Sequence, residues 1–411
     1  MLYLCDNKFL IIRLIRNFKY RLYPTSSEIT RITEQLTEAR RLYNCALEHR
    51  ITVYKMTGES VGYYTQAAEL KQIRAEGICK LANFSACHDV LRKLDKAYKA
   101  FFGRIKKGQK AGFPRFKNAQ RYRTITFPSY GDGCKLTGSY IYLQGMGTIK
   151  IKLHRPVEGK IKTVSLTEKN GKYYVCFACD VQPSPLPETG YNKSIGIDMG
   201  LESFAVTSDG GFIKNPRHFK TSQKRLRVLQ RSVARKKKRS NSRKEAVRLL
   251  TNQYEKIANQ RKNFLNKESL KIIQQNDIIC VEDLNIKGMT ARCKPVQDET
   301  GRYLPNGQSR KSGLNRSIND AAWGIFFGML AYKAENAGRE LIRVNPRGTS
   351  QRCYRCGTTV HKELYDRWHD CPVCGLSIHR DLNSALEILR LGTSPCPVTW
   401  NSGSCVGLEA D

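Results

Sequence analysis

The feature that most limits how this chain can fold is residues 194–200, where a β-branched apolar run ends at an acid, Asp198, followed by a glycine. A short apolar run of this kind indicates a buried strand. Residues 201–206 and 212–213 flank an Asp-Gly-Gly turn and indicate a hairpin directly after it. The stretch therefore predicts an α/β unit whose first strand delivers a carboxylate to the edge of a sheet.

A second stretch repeats this pattern. Residues 278–284 form another apolar run, and it ends in Glu282 and Asp283. If this strand packs parallel to the first, Glu282 and Asp198 reach the same edge of the sheet. Asp283 should point to the opposite face, because side chains alternate along a strand. Glu282 is therefore the predicted second acid of the site.

A third acid follows near the C-terminus. Ser317 and Asp320 have the spacing of a helix start, residues 340–344 read as a strand, and Asp381 lies in the first turn of a later helix. Two strand acids and one helix acid form the constellation that holds two Mg²⁺ ions about 4 Å apart for phosphodiester hydrolysis. Each acid alone could instead be a turn residue or a charge at a helix N-terminus. Their joint order favours the metal site.

Four cysteines near the C-terminus have the spacing of a zinc ribbon. They form two Cys-x₂-Cys pairs: Cys353, Cys356, Cys371 and Cys374. Sulfur at all four positions predicts a closed, structural Zn²⁺ site, with free thiols as the alternative. Three nearby histidines are not needed as ligands and are interpreted as ordinary loop or phosphate-facing residues: His361, His369 and His379.

The charge balance points to nucleic acid. The chain has 71 Lys and Arg against 36 Asp and Glu, a formal net charge of +35. An excess this large repels itself unless a polyanion neutralises it. The many isolated cysteines indicate a reducing compartment, and the apolar residues 9–15 are too few, and interrupted by Arg13, for a signal peptide or a membrane span. We therefore expect a cytosolic protein without membrane partners.

The most basic stretch covers residues 220–248, in which Glu245 is the only acid. A solvated helix face would mix both signs, so contact with phosphates is favoured over that alternative. The candidates for nucleic-acid contact here are Lys224, Arg225, Arg231, Arg235, Lys236, Lys237, Lys238 and Arg239.

The N-terminal half reads as a small β-barrel with helices inserted. Short strands with alternating side chains follow one another after residue 112, and a proline-rich stretch at 183–187 marks a boundary. A capping box, Thr25 with Glu28, opens a helical module that has one apolar and one positive face.

Several motifs together resemble the TnpB family, the transposon-encoded RNA-guided nucleases related to type V CRISPR effectors. They are residues 18–24 (Phe-Lys-Tyr-Arg-Leu-Tyr-Pro), 112–117 (Gly-Phe-Pro-Arg-Phe-Lys), 194–200, 281–284 (Val-Glu-Asp-Leu), 315–317 (Asn-Arg-Ser), 349–353 (Thr-Ser-Gln-Arg-Cys) and 380–383 (Arg-Asp-Leu-Asn). The resemblance covers nearly the whole chain. One departure is His379, which stands where the family usually has a further acid.

The resemblance implies an RNase H-like (RuvC) nuclease domain with a Cys₄ zinc-ribbon insert, and an OB-like wedge β-barrel with an inserted helical recognition module. It implies Asp198, Glu282 and Asp381 as Mg²⁺ ligands and a prokaryotic cytoplasm. By helix position, Ser85 and His88 are candidates to approach a short DNA motif. The expected division is a barrel at 1–24 and 112–185, a helical module at 25–111, a nuclease domain at 190–352 and 376–392, a zinc ribbon that binds target nucleic acid at 353–375 and a disordered tail at 393–411.

The leading hypothesis for function is an RNA-guided, Mg²⁺-dependent DNA endonuclease. A guide RNA from the transposon end would select the target by base pairing, and the protein would bind double-stranded and single-stranded DNA. One alternative is a guide-loaded DNA-binding regulator without cleavage, against which the complete set of acids argues. The other is a transposase that joins strands or a transposition accessory protein, which lacks the support of a nucleophilic Tyr or Ser motif.

Overall fold

The structure, a computed structural model, describes residues 14–182, 185–186, 193–363 and 365–394. The chain divides into two units between Gln182 and Pro183. Each unit has its own apolar core.

The first unit contains one antiparallel sheet of seven strands in the order β2-β6-β7-β1-β5-β4-β3. The strands are β1 (Leu14–Tyr23), β2 (Thr124–Phe127), β3 (Cys134–Thr137), β4 (Tyr140–Leu143), β5 (Gly147–Lys152), β6 (Lys160–Lys169) and β7 (Lys172–Val181). β1 lies at the centre, because it pairs with β7 along its length and with β5 at residues 21–23. The N-terminal strand is thus part of the same sheet as the later strands.

The predicted barrel is confirmed in part. Alternate residues of the strands are buried, such as Ile149 and Ile151 on β5 and Val175 and Phe177 on β7. The two end strands, β2 and β3, do not pair with each other in the described part of this unit, so the sheet is only partly closed.

Three helices lie in the chain between β1 and β2. They are α1 (Ser26–Thr57), α2 (Tyr63–Ala75) and α3 (Phe84–Lys106). The predicted capping box is confirmed, since Thr25 accepts a hydrogen bond from the backbone N–H of Glu28 and its own N–H donates to the Glu28 carboxylate. Asn83 caps α3 by accepting from the N–H of Ala86 at 2.7 Å.

The second unit contains a five-stranded mixed sheet in the order β10-β9-β8-β11-β14. The strands of this unit are β8 (Ser194–Met199), β9 (Ser203–Thr207), β10 (Phe212–Lys214), β11 (Ile278–Glu282), β12 (Val296–Gln297), β13 (Tyr303–Leu304), β14 (Glu340–Val344), β15 (Trp368–Asp370) and β16 (Ser377–His379). Of these, β12 pairs with β13 and β15 pairs with β16 in two small hairpins outside the five-stranded sheet. β8 and β11 run parallel, as predicted, with Ile197 opposite Val281.

The helices of this unit are α4 (His218–Arg235), α5 (Asn241–Gln275), α6 (Ile286–Met289), α7 (Gln308–Ala321), α8 (Trp323–Ala337) and α9 (Arg380–Thr393). Apolar residues of α5 and α8 bury one face of the sheet, including Leu265 and Phe326. None of the helices in the described ranges is long and apolar enough to cross a membrane.

The prediction that Ser317 begins a helix is wrong. Ser317 lies inside α7, where its hydroxyl donates to the carbonyl of Gly313, and the next helix begins only after Ala322, a residue with φ of 58°. Asp320 instead binds the N-terminal end of α4, because its carboxylate accepts a hydrogen bond from the backbone N–H of Phe219 at 3.0 Å. A serine and an acid three residues apart fit a helix interior as well as a helix start.

Helix α9 packs directly on β8 because of a glycine. A Cβ atom at Gly196 would overlap the carbonyl oxygen of Ala385 and lie 2.7 Å from the backbone nitrogen of Leu389. Gly392 makes a comparable close approach to Cys280 on β11. Only residues without a side chain allow the helix backbone this near the strands. The helix extends to Thr393, inside the expected tail, and residues 395–411 lie outside the described part of the chain.

Candidate functional site

The structure brings the three predicted acids to one end of the second sheet. Asp198 is the penultimate residue of β8 and Glu282 is the last residue of β11, one position beyond the pair Ile197 and Val281. Asp381 is the second residue of α9, the helix that packs on these strands. The imidazole Nδ1 of His379 accepts a hydrogen bond from the N–H of Asp381 at 3.2 Å and so caps this helix.

The charges of the other two acids act on Asp198. Burial, and then the charges of Glu282 and Asp381, raise the pKa of Asp198 to about 8, while the charge of Arg380 acts in the opposite direction. Burial also raises the pKa of Glu282, against the effect of a hydrogen bond from the hydroxyl of Thr349 at 2.5 Å. Like charges held together in a partly buried site favour either protonation or a bound cation.

The carboxylates share one sheet edge but do not converge on a single point. Among the described residues, only the four cysteines form a group of three or more candidate ligands whose atoms all lie within 4.8 Å of one another. Two ions about 4 Å apart need ligands spread over a wider span than one ion does. The oxygen donors suit Mg²⁺, which prefers oxygen ligands.

We expect Asp198→Asn to stabilise the protein in buffer without added Mg²⁺, and more so as the pH rises from about 4 to 8. The folded state binds the proton of Asp198 more tightly than the unfolded state does, so wild-type stability falls across this window and the amide removes the loss. Thermal unfolding between pH 5 and 8.5 measures the difference.

The matched control for that experiment is Asp283→Asn. Asp283 neighbours Glu282 but is exposed and forms an ion pair with Arg343 on β14 at 3.0 Å. Its replacement should leave the pH dependence unchanged. An equal gain in stability for Asp198→Asn at every pH would contradict the assigned repulsion.

The four predicted zinc ligands come together. The Sγ atoms of Cys353 and Cys374 lie 3.7 Å apart and those of Cys356 and Cys371 lie 3.5 Å apart. Sulfur atoms bound to one tetrahedral Zn²⁺ at about 2.3 Å would be about 3.8 Å apart. The sulfur positions therefore fit a single ion.

The two halves of this cysteine site repeat the same local geometry. In each, the first cysteine's carbonyl accepts a hydrogen bond from a glycine that directly follows the second cysteine, Gly357 at 2.9 Å and Gly375 at 3.0 Å. Both glycines have positive φ, 77° and 69°. This left-handed conformation suits glycine and turns the chain so that both sulfurs face inward.

Helix α9 also supports the cysteine site, a contact that no local sequence pattern indicates. The amide of Asn383 is fully buried, donates to the carbonyl of Arg352 at 2.7 Å and accepts from the N–H of Tyr354 at 3.2 Å. Two residues before it, Asp381 lies at the sheet edge. One turn of helix thus fixes both the third acid and the first cysteine pair.

The interpretation of His369 as a loop or phosphate-facing residue is wrong. It lies in β15, pairs with Ile378 and is fully buried, and within the described part of the chain neither ring nitrogen has a hydrogen-bond partner. Burial lowers the pKa of this imidazole, so it packs as a neutral ring. A histidine between exposed neighbours gave no sign of this in the sequence.

The predicted phosphate-contacting residues are divided between a helix and a turn. Lys224, Arg225, Arg231 and Arg235 lie on α4, whereas the run from Lys236 to Arg239 forms the turn to α5. All eight are exposed except Lys236, which is half-buried, and none pairs with an acid among the residues that the structure describes. The turn is thus an exposed, uncompensated positive tip.

Ser85 and His88 lie in the first unit, near the start of α3, and both are half-buried. Nδ1 of His88 lies 3.2 Å from the hydroxyl of Tyr63, and its ring packs edge-on against Phe84. Burial and the charge of Arg92 lower the pKa of His88.

Three protein-family models match the chain. A model described as a probable transposase matches residues 176–292, a Cas12f1-like TNB domain matches 323–388 and a helix-turn-helix domain matches 14–59. The TNB model therefore spans α8, all four cysteines and Asp381.

The solved structure of the mini-RNA-guided endonuclease CRISPR-Cas_phi3 has the same overall fold, with a TM-score of 0.50 and 9% identity over 96% of this chain and 94% of that one. At this low identity the likeness is one of fold.

Two relatives are close in sequence. A candidate RNA-guided DNA endonuclease of Streptomyces pristinaespiralis is 30% identical over 92% of this chain and 89% of its own length. InsQ of Escherichia coli strain K12, with the same designation, is 29% identical over 92% of both chains. The chain belongs to the TnpB family.

Proposed function

We propose that this protein is an RNA-guided DNA endonuclease. The observation that carries the proposal is the meeting of Asp198, Glu282 and Asp381 at one sheet edge, where their charges repel. The family, and the designation of both relatives as candidate RNA-guided DNA endonucleases, support a guide RNA as the partner that selects DNA.

The nuclease site is RuvC-like in this proposal, with the three acids as ligands of two Mg²⁺ ions. When bound, the ions would stabilise the attacking water and the leaving 3′ oxygen of an in-line displacement. Thr349 orients the Glu282 carboxylate through its 2.5 Å hydrogen bond, and Arg380 lies 3.4 Å from a carboxylate oxygen of Asp381. The site is thus held in place by neighbours on separate elements.

The four cysteines hold a structural Zn²⁺ in this proposal, supported by their sulfur spacing. The domain division expected from the sequence is retained: a wedge-like barrel with inserted recognition helices, then the nuclease domain with its ribbon insert. The first turn of α3, with Ser85 and His88, is the candidate reader of a DNA motif beside the target.

The direct test of function is to purify the protein with the RNA that accompanies it and sequence that RNA. A single RNA species, part of which matches a target, should direct cutting of that DNA and not of a scrambled one. Heterogeneous RNA without guide activity would contradict the guided mechanism, and binding without cutting would favour a regulator.

Neutralising the positive tip should weaken nucleic-acid binding. We expect Lys236→Gln, Lys237→Gln and Lys238→Gln together to lower affinity for guide RNA or DNA and to reduce the slope of log affinity against log salt by up to about 2 to 3, since each phosphate contact contributes about 0.7 to 0.9. Fluorescence anisotropy over a salt series measures both quantities.

The control for the tip is a second triple variant with the same change of charge. Lys262, Lys267 and Lys271 are exposed on α5, away from the turn. If both triple variants lose affinity equally, the effect is one of overall charge. A salt slope that does not change in the tip variant would show that these lysines are solvated and do not contact phosphates.

A further inference from the structure

Two cysteines near the start of α3 form a pair of thiols that has no role in the proposed function. Cys79 lies in the loop at residues 76–83, and Cys87 lies in the first turns of α3. Their Sγ atoms are 3.9 Å apart and both side chains are buried. No metal group of three or more ligands includes them within the described ranges, so the pair is not a second zinc site.

One of the two cysteines borders a cavity. Cys79 lines a cavity of about 240 Å³ whose other lining residues include the exposed Arg41 and Cys45. A small neutral oxidant fits such a cavity. Cys87, in contrast, is fully buried behind Cys79.

The surroundings distinguish the two sulfurs chemically. The hydrogen bond from Cys87 lowers the pKa of Cys79 to about 6, and the charge of Arg74 acts in the same direction. The same hydrogen bond, and then burial, raise the pKa of Cys87, whose sulfur lies 3.4 Å from the guanidinium of Arg74. Cys79 borders the cavity, so it is the thiol that an oxidant meets first, and the fully buried Cys87 beside it is the resolving thiol.

We propose that Cys79 and Cys87 form an oxidant-reactive dithiol that closes to a disulfide on reaction with a hydroperoxide. The Cys79 thiolate attacks the peroxide, the O–O bond breaks, and the sulfur becomes a sulfenic acid while the departing oxygen takes a proton as water or an alcohol. The sulfur of Cys87 then attacks the sulfenic sulfur. The S–S bond forms, and the hydroxyl leaves as water with the proton from Cys87.

The geometry allows this closure with a small movement. The sulfurs must approach by about 2 Å to reach a disulfide bond length. The loop around Cys79 is held to α2, because the N–H of Ile78 donates to the carbonyl of Ile73 and Arg74 donates to the carbonyl of Leu81. The approach therefore comes mainly from rotation of the two cysteine side chains. Under reducing conditions a thiol reductant would restore both thiols.

The bond would tie the loop to the turn of α3 that carries Ser85 and His88. If those residues read a DNA motif, which rests on the proposed function, oxidation would restrict the reading turn. Closure of the disulfide is the primary inference, and it stands apart from guided cleavage.

The experiment treats the purified, reduced full-length protein with hydrogen peroxide, blocks remaining thiols and maps peptides by mass spectrometry. We expect a cross-linked Cys79–Cys87 peptide that a thiol reductant removes. Cys79→Ser should lose it, and Cys87→Ser should leave Cys79 as a sulfenic acid that dimedone labels. Cys45→Ser, which changes an exposed cysteine in the same cavity, should keep the cross-link.

Absence of the cross-link in wild-type protein, or preferential linkage of Cys79 to Cys45, would overturn the inference. Because the wild-type result needs no variant, a Cys87→Ser protein that fails to fold leaves the test intact. Reduced protein that performs guided cleavage but forms no cross-link refutes only the dithiol. Cross-linking in a protein without guided cleavage refutes only the proposed function.

Discussion

Replacing Asp198 with alanine should reduce DNA cleavage by roughly a thousandfold or more while guide-directed binding persists. Several kcal/mol of transition-state stabilisation depend on correctly held ions, and each 1.36 kcal/mol corresponds to a factor of ten in rate. The charges of both other acids raise the pKa of Asp198, so Asp198 is the member of the set on which both of the others act. Cleavage and binding of a matched target, measured on the same preparation, separate the two effects.

Two further variants make this test decisive. Glu282→Gln should lose cleavage to a similar degree, because Glu282 ends the neighbouring strand at the same level. Asp283→Asn should cut normally, since its carboxylate is exposed and paired with Arg343. Normal cutting by Asp198→Ala would remove the active-site assignment. Loss of binding together with cutting would show that Asp198 has a structural role instead.

Replacing Cys371 with serine should release zinc and unfold the cysteine-containing segment. Cys371 is buried, its sulfur lies 3.5 Å from that of Cys356, and the segment has few apolar contacts of its own. Structural zinc in small motifs contributes about 10–16 kcal/mol to folding. Metal analysis should find one zinc in the wild type and none in the variant, and limited proteolysis should cut the variant near this segment.

A suitable control is Cys293→Ser, because Cys293 lies in the same unit but outside the four-cysteine group. It should retain zinc and resistance to protease. A Cys371→Ser protein that is fully active without zinc would contradict the proposed structural role. A wild-type protein that contains no zinc, even after expression with added metal, would make the four cysteines ordinary thiols.

The sequence was most informative where one strand has a simple pattern. Apolar residues on both faces of residues 194–199 and 278–282 predicted buried parallel neighbours, and the acid at each end followed from that pairing. The spacing of the cysteines likewise needed no tertiary information. These features are local, so they can be read from a few consecutive residues.

Contacts between distant parts of the chain could not be predicted in this way. The carboxylate of Asp320 accepts a hydrogen bond from the N–H of Phe219, and the hydroxyl of Thr349 donates one to Glu282. Both pairs are far apart in sequence, so they come together only when the elements of the unit pack. The burial of His369 and the partial closure of the first sheet also depend on contacts between residues that are distant in sequence. The alternation of apolar and polar side chains shows which face of a strand is buried, but it does not show which other strand it pairs with.

The close packing of α9 on Gly196 has a consequence for the order in which the protein is made. Strand β8 leaves the ribosome long before residues 380–393, so an unfinished chain has two of the three acids and lacks the helix that completes the set. Under the proposed site assignment, cutting would then begin only after Asp381 has been synthesised and α9 has packed on β8.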